Sequence, residues 1–288
     1  MAILGSDGSL KYGAHTLAEI EECPHRLTMD VSVPVELQDK PSERLQMVFD
    51  EGNDYEAVTS KAMADACVAA GLQFLHIEAK TTAEAFELTK AALAQGIDVI
   101  ANARLEEELS PDERLVGYAD FLVKESKPGE HPRYIPLDTK AFGILDSTKR
   151  VRTYRVAGFL PPVPPTDETA EHQGRLKRHY AIQLSHYYRL LTVLGHQGSA
   201  IGALLSPKYP HALWFDLTEK IFDKDTKSPI DIWSDALAEG RRLAVYELDR
   251  ADTDSQLTHP EFNAGLCKEC RWFTQCMTTL KTTDHVSL

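Results

Sequence analysis

The chain has 288 residues, enough for one large domain or two small ones, and its 43% hydrophobic and 26% charged residues are ordinary for a globular protein. No apolar run approaches the roughly 20 residues needed to cross a bilayer, and MAILGSDGSLKYG lacks the basic start and apolar core of a signal peptide, so a cytoplasmic protein is expected. The formal net charge of −13 argues against nucleic-acid binding through a broad field.

Charge is uneven, however. Lys149, Arg150, Arg152 and Arg155 form one basic stretch, and Arg175, Lys177, Arg178 and His179 another. They read either as solvated surface or as a local phosphate-binding rim.

In chain order, AHTLAEIEECPHRL carries apolar residues at helical spacing up to Pro24. Residues from about Ser42 to Ala70 read as one long helix or two, followed by Gly71. LQFLHIE reads as a short strand, TAEAFELTKAALAQ as a helix that Gly96 stops, and DVIANARLEEE begins extended. RLVGYADFLVKE alternates as a strand, with Leu115, Gly117, Ala119, Phe121 and Val123 on one face and Tyr118, Asp120 and Leu122 on the other. RYIPLDTKAFG reads as its neighbour across the turn-like SKPGEHP. GFLPPVPPTDETAEHQG reads as an exposed loop, and GRLKRHYAIQLSHYYRLLTV as an amphipathic helix ended by Gly195. SAIGALLS and HALWFDL read as a closing hairpin, and IDIWSDALAEGRRLAVYELDRA as a last helix running towards a cysteine cluster. This order predicts an α/β layout with one core, a single domain over residues 1–288.

In a reducing compartment clustered cysteines more often bind metal than form disulfides. Cys267, Cys270 and Cys276 stand at Cys-x2-Cys-x5-Cys spacing, and Cys23 stands alone, with 243 residues between it and the first of them. A shared centre would tie the two ends of the chain together. Zinc sites usually draw cysteines as two local pairs, and spacing alone leaves the kind of centre open. Cys67 lies on an alanine-rich helical pattern and reads as a small buried apolar residue.

Several polar residues interrupt apolar runs. Asp120 lies mid-strand and needs either a basic partner or a metal, because a buried unpaired charge is expensive. Asp138 and Lys140 are two apart on a strand and so share a face, 18 residues after Asp120 across a hairpin-like connection. That arrangement can place two carboxylates around one divalent ion with an ammonium beside it, the parts phosphodiester cleavage needs. Gln183 and Tyr187 are four apart on a helix and share a face, where Gln183 reaches into a site or satisfies a core carbonyl. Glu51, Asp54 and Glu56 are candidate ligands on the long helical segment, or simply a solvated helix end.

Together these residues make the chain resemble the RecB-like branch of the PD-(D/E)XK nuclease superfamily. More closely, it is similar to the iron–sulfur nucleases of that branch, which include a CRISPR-associated exonuclease family and the AddB nuclease domain. Cys23, with its following proline, and Cys267, Cys270 and Cys276 match the cysteine pattern; Gly117 to Asp120 match Gly-x-x-Asp; Asp138 and Lys140 match (Asp/Glu)-x-Lys; Gln183 and Tyr187 match Gln-x3-Tyr. The match runs in order from about Thr16 to Met277. It departs at one place: many members carry a histidine four residues after a glycine in the first helical region, and here Gly52 is followed at that spacing by Glu56.

The resemblance implies a restriction-endonuclease-like α/β core, a small mixed sheet flanked by helices. A [4Fe–4S] cluster would join segments at about 14–30 and 262–280. It implies a metal-dependent DNA nuclease, an exonuclease on single strands or ends, in DNA repair, recombination or CRISPR/phage-type processing. Glu56, Asp120, Asp138 and the Thr139 carbonyl would hold Mg²⁺ or Mn²⁺. Lys140 would orient the attacking water or neutralise charge, and Gln183 and Tyr187 would position the strand or Lys140. The alternative is a catalytically weak iron–sulfur DNA-binding subunit serving a helicase or an integration complex. The chain lacks a Gly-x4-Gly-Lys-(Ser/Thr) loop, so unwinding would come from a partner.

Overall fold

The computed structural model describes residues 4–5, 8–146, 152–161, 163, 168–208, 211–222, 226–249 and 257–283, with side chains omitted at 146, 152–157 and 168–173. Lys149 and Arg150 of the first basic stretch lie outside these residues.

A long antiparallel pair forms the spine of the fold. Strand β3 (Val99–Ser110) pairs with β4 (Glu113–Lys124) along nearly their whole length. RLVGYADFLVKE is a strand, but its odd positions do not share one face throughout: Leu115 and Ala119 join one core cluster with Leu122, whereas Phe121 and Val123 join another, so the expected alternation breaks at Asp120, opposite Asn102 at φ 54°.

The other edge of β4 is shared. Strand β1 (Leu10–Gly13) runs parallel to its first part, ending at Gly13 opposite Val116. Strand β5 (Tyr134–Thr139) runs antiparallel to its last part, with Leu137 opposite Phe121. The two neighbours therefore approach each other end-on at residues 117–120 of β4, and the chain leaves the sheet at both ends.

Among the described residues the sheet has ten strands, larger than the small sheet expected. Strand β2 (Phe74–His76) lies outside β3; β5 continues to β9 (Ile201–Leu205), β10 (Ala212–Asp216), β7 (Arg152–Ala157), β8 (Glu168–Leu176) and β6 (Leu145–Asp146). The β9–β10 hairpin does not close the sheet, since β9 pairs in parallel with β5 and β10 pairs with β7. Nor is the segment after 168 a loop: β8 extends to Leu176, and the following helix α5 (Arg178–Val193) begins later than its amphipathic pattern implied. Polar ETAEHQG carries no strand period of its own; its order comes from long-range pairing with β7.

Helices cover both faces. On one side α1 (Ala14–Glu22), α2 (His25–Ser32), α5 and α6 (Pro229–Asp249) enclose a core including Tyr12, Leu17, Ile20, Leu105, Leu184 and Leu243. The turn between α1 and α2 is enforced by Pro24, which drives Cys23 to an extended backbone at φ −154°. On the other side lies α3 (Glu43–Ala70), one unbroken helix of 28 residues. Ser42 caps it, accepting from the Leu45 amide at 3.1 Å, and Gly71 stops it in the left-handed region at φ 70°. Only Met63 and Cys67 of α3 are buried, as a small apolar reading of Cys67 requires. Helix α4 (Thr82–Gln95) ends in the same way at Gly96. The last helix, α7 (Phe273–Thr282), carries Cys276. Among the described residues no helix is long and apolar enough to cross a membrane.

Helix α5 presses closely on β9. A Cβ added at Gly202 would stand 2.8 Å from Leu184 Cδ1 and 3.1 Å from Leu184 Cβ. Gly202→Ala is expected to cost roughly 1–3 kcal/mol of stability through overpacking, measured by urea unfolding.

Candidate functional site

The gap opposite residues 117–120 of β4 collects polar side chains. Asp120 is half-buried there. Its Oδ2 accepts from the Thr139 backbone amide and from Thr139 Oγ1, both at 2.6 Å. Asp138 is almost fully buried at 1% exposure, and its Oδ2 forms an ion pair with the Lys140 ammonium. Its Oδ1 accepts from Gln183 Nε2 at 3.0 Å, and the same amide donates to Tyr187 Oη at 2.9 Å. Lys140 is fixed at both ends: its backbone amide donates to Leu205 O at 2.8 Å, and its ammonium lies 5.1 Å from the centre of the Tyr180 ring. The structure thus brings Asp120, Asp138, Thr139, Lys140, Gln183 and Tyr187 into one connected group.

Gly117 has a physical reason. A Cβ there would stand 2.9 Å from the Tyr187 ring and 3.4 Å from His186. Without that side chain, α5 can lie close enough for Gln183 to reach Asp138. His186, fully buried, locks the same contact: Trp233 Nε1 donates to its Nδ1 at 3.1 Å, so its Nε2 carries the proton and donates to Val116 O at 3.0 Å.

On the α3 side a cavity of about 300 Å³ opens beside Asp120, lined also by Glu56, Thr139, His76 and Asn102. Glu56 therefore shares a cleft with Asp120. Glu51 and Asp54, exposed on the same helix, do not line it. Asn102 was not singled out from the sequence. It occupies the left-handed region at φ 54°, and the β3–β4 register skips it opposite Asp120. Its Nδ2 donates to Ile77 O at 3.0 Å, which holds the irregularity open.

The electrostatics are those of crowded acids. Burial and the neighbouring Asp138 raise the Asp120 pKa to about 7. Burial and Asp120 raise Glu56 to about 6. Asp138 is also raised, by burial above all, with Lys140 opposing. Burial works against the Lys140 charge, yet the two aspartates outweigh it and hold the ammonium protonated. Three carboxylates thus share one cation, an arrangement a divalent cation would relieve.

The four cysteines lie together elsewhere. Cys23, Cys267, Cys270 and Cys276 all line one cavity of about 340 Å³ between α2 and the C-terminal segment. The backbone amide of Asn263 donates to Cys267 Sγ at 3.2 Å. The amides of Arg26 and His25 and the Arg26 guanidinium favour the Cys23 thiolate, although burial outweighs them. Burial and the other three cysteines push Cys276 up to about 12, as expected where four thiols crowd one space. These donors suit a group that takes thiolates. Among the described residues, however, no three or more His, Cys, Asp or Glu side chains stand in an arrangement that could hold a metal ion. At the acidic site Lys140 and Thr139 occupy carboxylate oxygens that an ion would need.

The C-terminal segment is held by its own contacts, which the sequence did not reveal. Arg271 donates to Glu19 through two bonds of 2.8 Å and to Asp30 through bonds of 2.9 and 2.5 Å. Trp272 Nε1 donates to Asp30 Oδ1 at 2.8 Å, and Asp39 ties in through its amide to Arg271 O and its carboxylate to the Thr274 amide, both 2.8 Å. The Asp30 side chain is 1% exposed.

No protein-family model matches the chain, and no curated protein matches it.

Two measurements check this account. Arg271→Met should cost about 3–5 kcal/mol in urea unfolding, because it strands the buried Asp30 carboxylate, and Asp30→Asn in the same protein should recover part of the loss. Asp120 binds its proton more tightly folded than unfolded, so it costs stability as pH rises from about 4 to about 7. In chelator, the stability of Asp120→Asn relative to the unsubstituted protein should therefore climb over that range and level off above it.

Proposed function

We propose that the chain is a divalent-metal-dependent nuclease of the RecB-like PD-(D/E)XK type, with a restriction-endonuclease-like core, acting on DNA single strands or ends. One observation carries this reading. Asp120, Asp138, Lys140 and Gln183 form a connected hydrogen-bonded group at the break in the sheet, beside the cleft that holds Glu56.

Each residue has a task that follows from its contacts. Glu56, Asp120, Asp138 and the Thr139 carbonyl would hold Mg²⁺ or Mn²⁺, which take hard oxygen ligands. When bound, such an ion lowers the pKa of water and stabilises charge on the phosphate. Lys140, held charged by both aspartates, would orient the attacking water or balance negative charge on the phosphate. Gln183 fixes the orientation of Asp138 through Oδ1, leaving Oδ2 to Lys140. Tyr187 keeps that amide in place by accepting its second N–H.

The resemblance in cysteine pattern points to a [4Fe–4S] cluster with a structural role, in which Cys23 would join the C-terminal triplet. Zinc is the competing occupant, and iron and sulfide analysis of anaerobically purified protein separates them. A helicase or another DNA-processing protein is the natural partner for a nuclease that needs unpaired strands.

With Mn²⁺ and end-labelled single-stranded DNA, Asp138→Ala and Lys140→Ala should each lower cleavage by about 100-fold or more, from loss of an ion ligand or of transition-state charge balance. Equal products from both variants and the unsubstituted protein would sink the assignment. Binding of the strand without cleavage by any of them would leave the DNA-binding subunit instead.

A further inference from the structure

A strand phosphate entering this site meets mostly negative charge, because Glu56, Asp120 and Asp138 face one ammonium that is already paired with Asp138. A donor outside that group would add to what an ion and Lys140 do for the phosphate. The break in the sheet says where to look. Strand β1 ends at Gly13, opposite Val116, and β5 ends opposite the residues that follow Val116 on the same edge of β4. The residues just after Gly13 therefore face the end of β5, where Asp138, Thr139 and Lys140 stand.

Helix packing agrees. Arg178 pairs with Glu21 at 2.8 Å and the His179 ring lies 3.8 Å from the Glu22 carboxylate, so the end of α1 lies beside the start of α5. His15 lies near enough to α5 for its charge to act on His179 and His186. The charges acting on His15 include Lys140, Glu19 and Asp120. His15 is exposed to solvent, and among the described residues its ring has no hydrogen-bond partner. An imidazole in either charge form carries an N–H donor.

We propose that His15 is a substrate-binding residue that donates to a phosphate oxygen of the nucleic-acid strand from the side of the site opposite the Glu56 cleft. This rests on the nuclease reading for the identity of the ligand, but binding can be read without cleavage. The probe is a fluorescein-labelled single-stranded oligonucleotide carrying phosphorothioate linkages, with Ca²⁺ in place of Mn²⁺, followed by fluorescence anisotropy. Loss of one charge-assisted hydrogen bond predicts about tenfold weaker binding by His15→Ala. His15→Gln, which keeps an N–H donor, should bind within about threefold of the unsubstituted protein. In Mn²⁺ cleavage the same loss should appear chiefly in KM rather than kcat.

Binding by both variants equal to that of the unsubstituted protein overturns the proposal and leaves the nuclease reading untouched. Equal weakening by Ala and Gln, with thermal unfolding unchanged, overturns the hydrogen-bonding role. Strand binding without cleavage by the unsubstituted protein, weakened only by His15→Ala, upholds His15 and removes the nuclease. Absence of binding by the unsubstituted protein overturns both.

Discussion

A carboxylate with 1% exposure cannot stay charged without close partners, and Asp138 sets the terms for everything around it. One oxygen takes the Lys140 ammonium and the other takes Gln183. Gln183 can reach only if α5 lies against β4, and α5 can lie there only because Gly117 has no side chain to meet Tyr187. The buried His186, between Trp233 and Val116, fixes that distance from behind. A chain of small requirements therefore runs from one charge to the packing of α5 and α6 on the sheet. The charge itself is on the strand end that the break in the sheet leaves open.

Helix α1 links this site to the cavity lined by the four cysteines. It is only nine residues long, yet His15 lies in its first turn, Glu19 in its middle and Cys23 just beyond its end. Glu19 is gripped by Arg271 from the C-terminal segment. Any displacement of that segment would be felt through a short rigid rod at the edge of the acidic group. The cysteines and the carboxylates are thus mechanically neighbouring through one short helix.

Much of the site could be read in the chain because local periodicity specifies it. Asp120 stands out as a charge in an alternating strand, Asp138 and Lys140 fall on one strand face, and Gln183 and Tyr187 are one helical turn apart and do bond. Local pattern could not choose among Glu51, Asp54 and Glu56, because α3 is largely exposed and its acids have similar surroundings in sequence. Asn102 was invisible for another reason. Asparagine tolerates the left-handed region, but nothing in ANARLEE says that the strand must kink opposite Asp120. Strand β8 was misread because its order is imposed by partners far along the chain. Arg271 sits between two cysteines that draw attention from it, and its partners lie more than 240 residues away.

That separation has a bearing on how the protein is made. Asp30 is buried by α2 and answered by Arg271, 241 residues later. At about 5–20 residues per second, a ribosome needs roughly 12–50 s to supply the arginine after the aspartate has emerged. Until then α1 and α2 carry acids that cannot be buried at low cost, so the nascent chain gains little by docking them on the sheet. Completion of the fold waits for the segment that brings the cysteine triplet, because the same segment brings the cation that lets the first helices close.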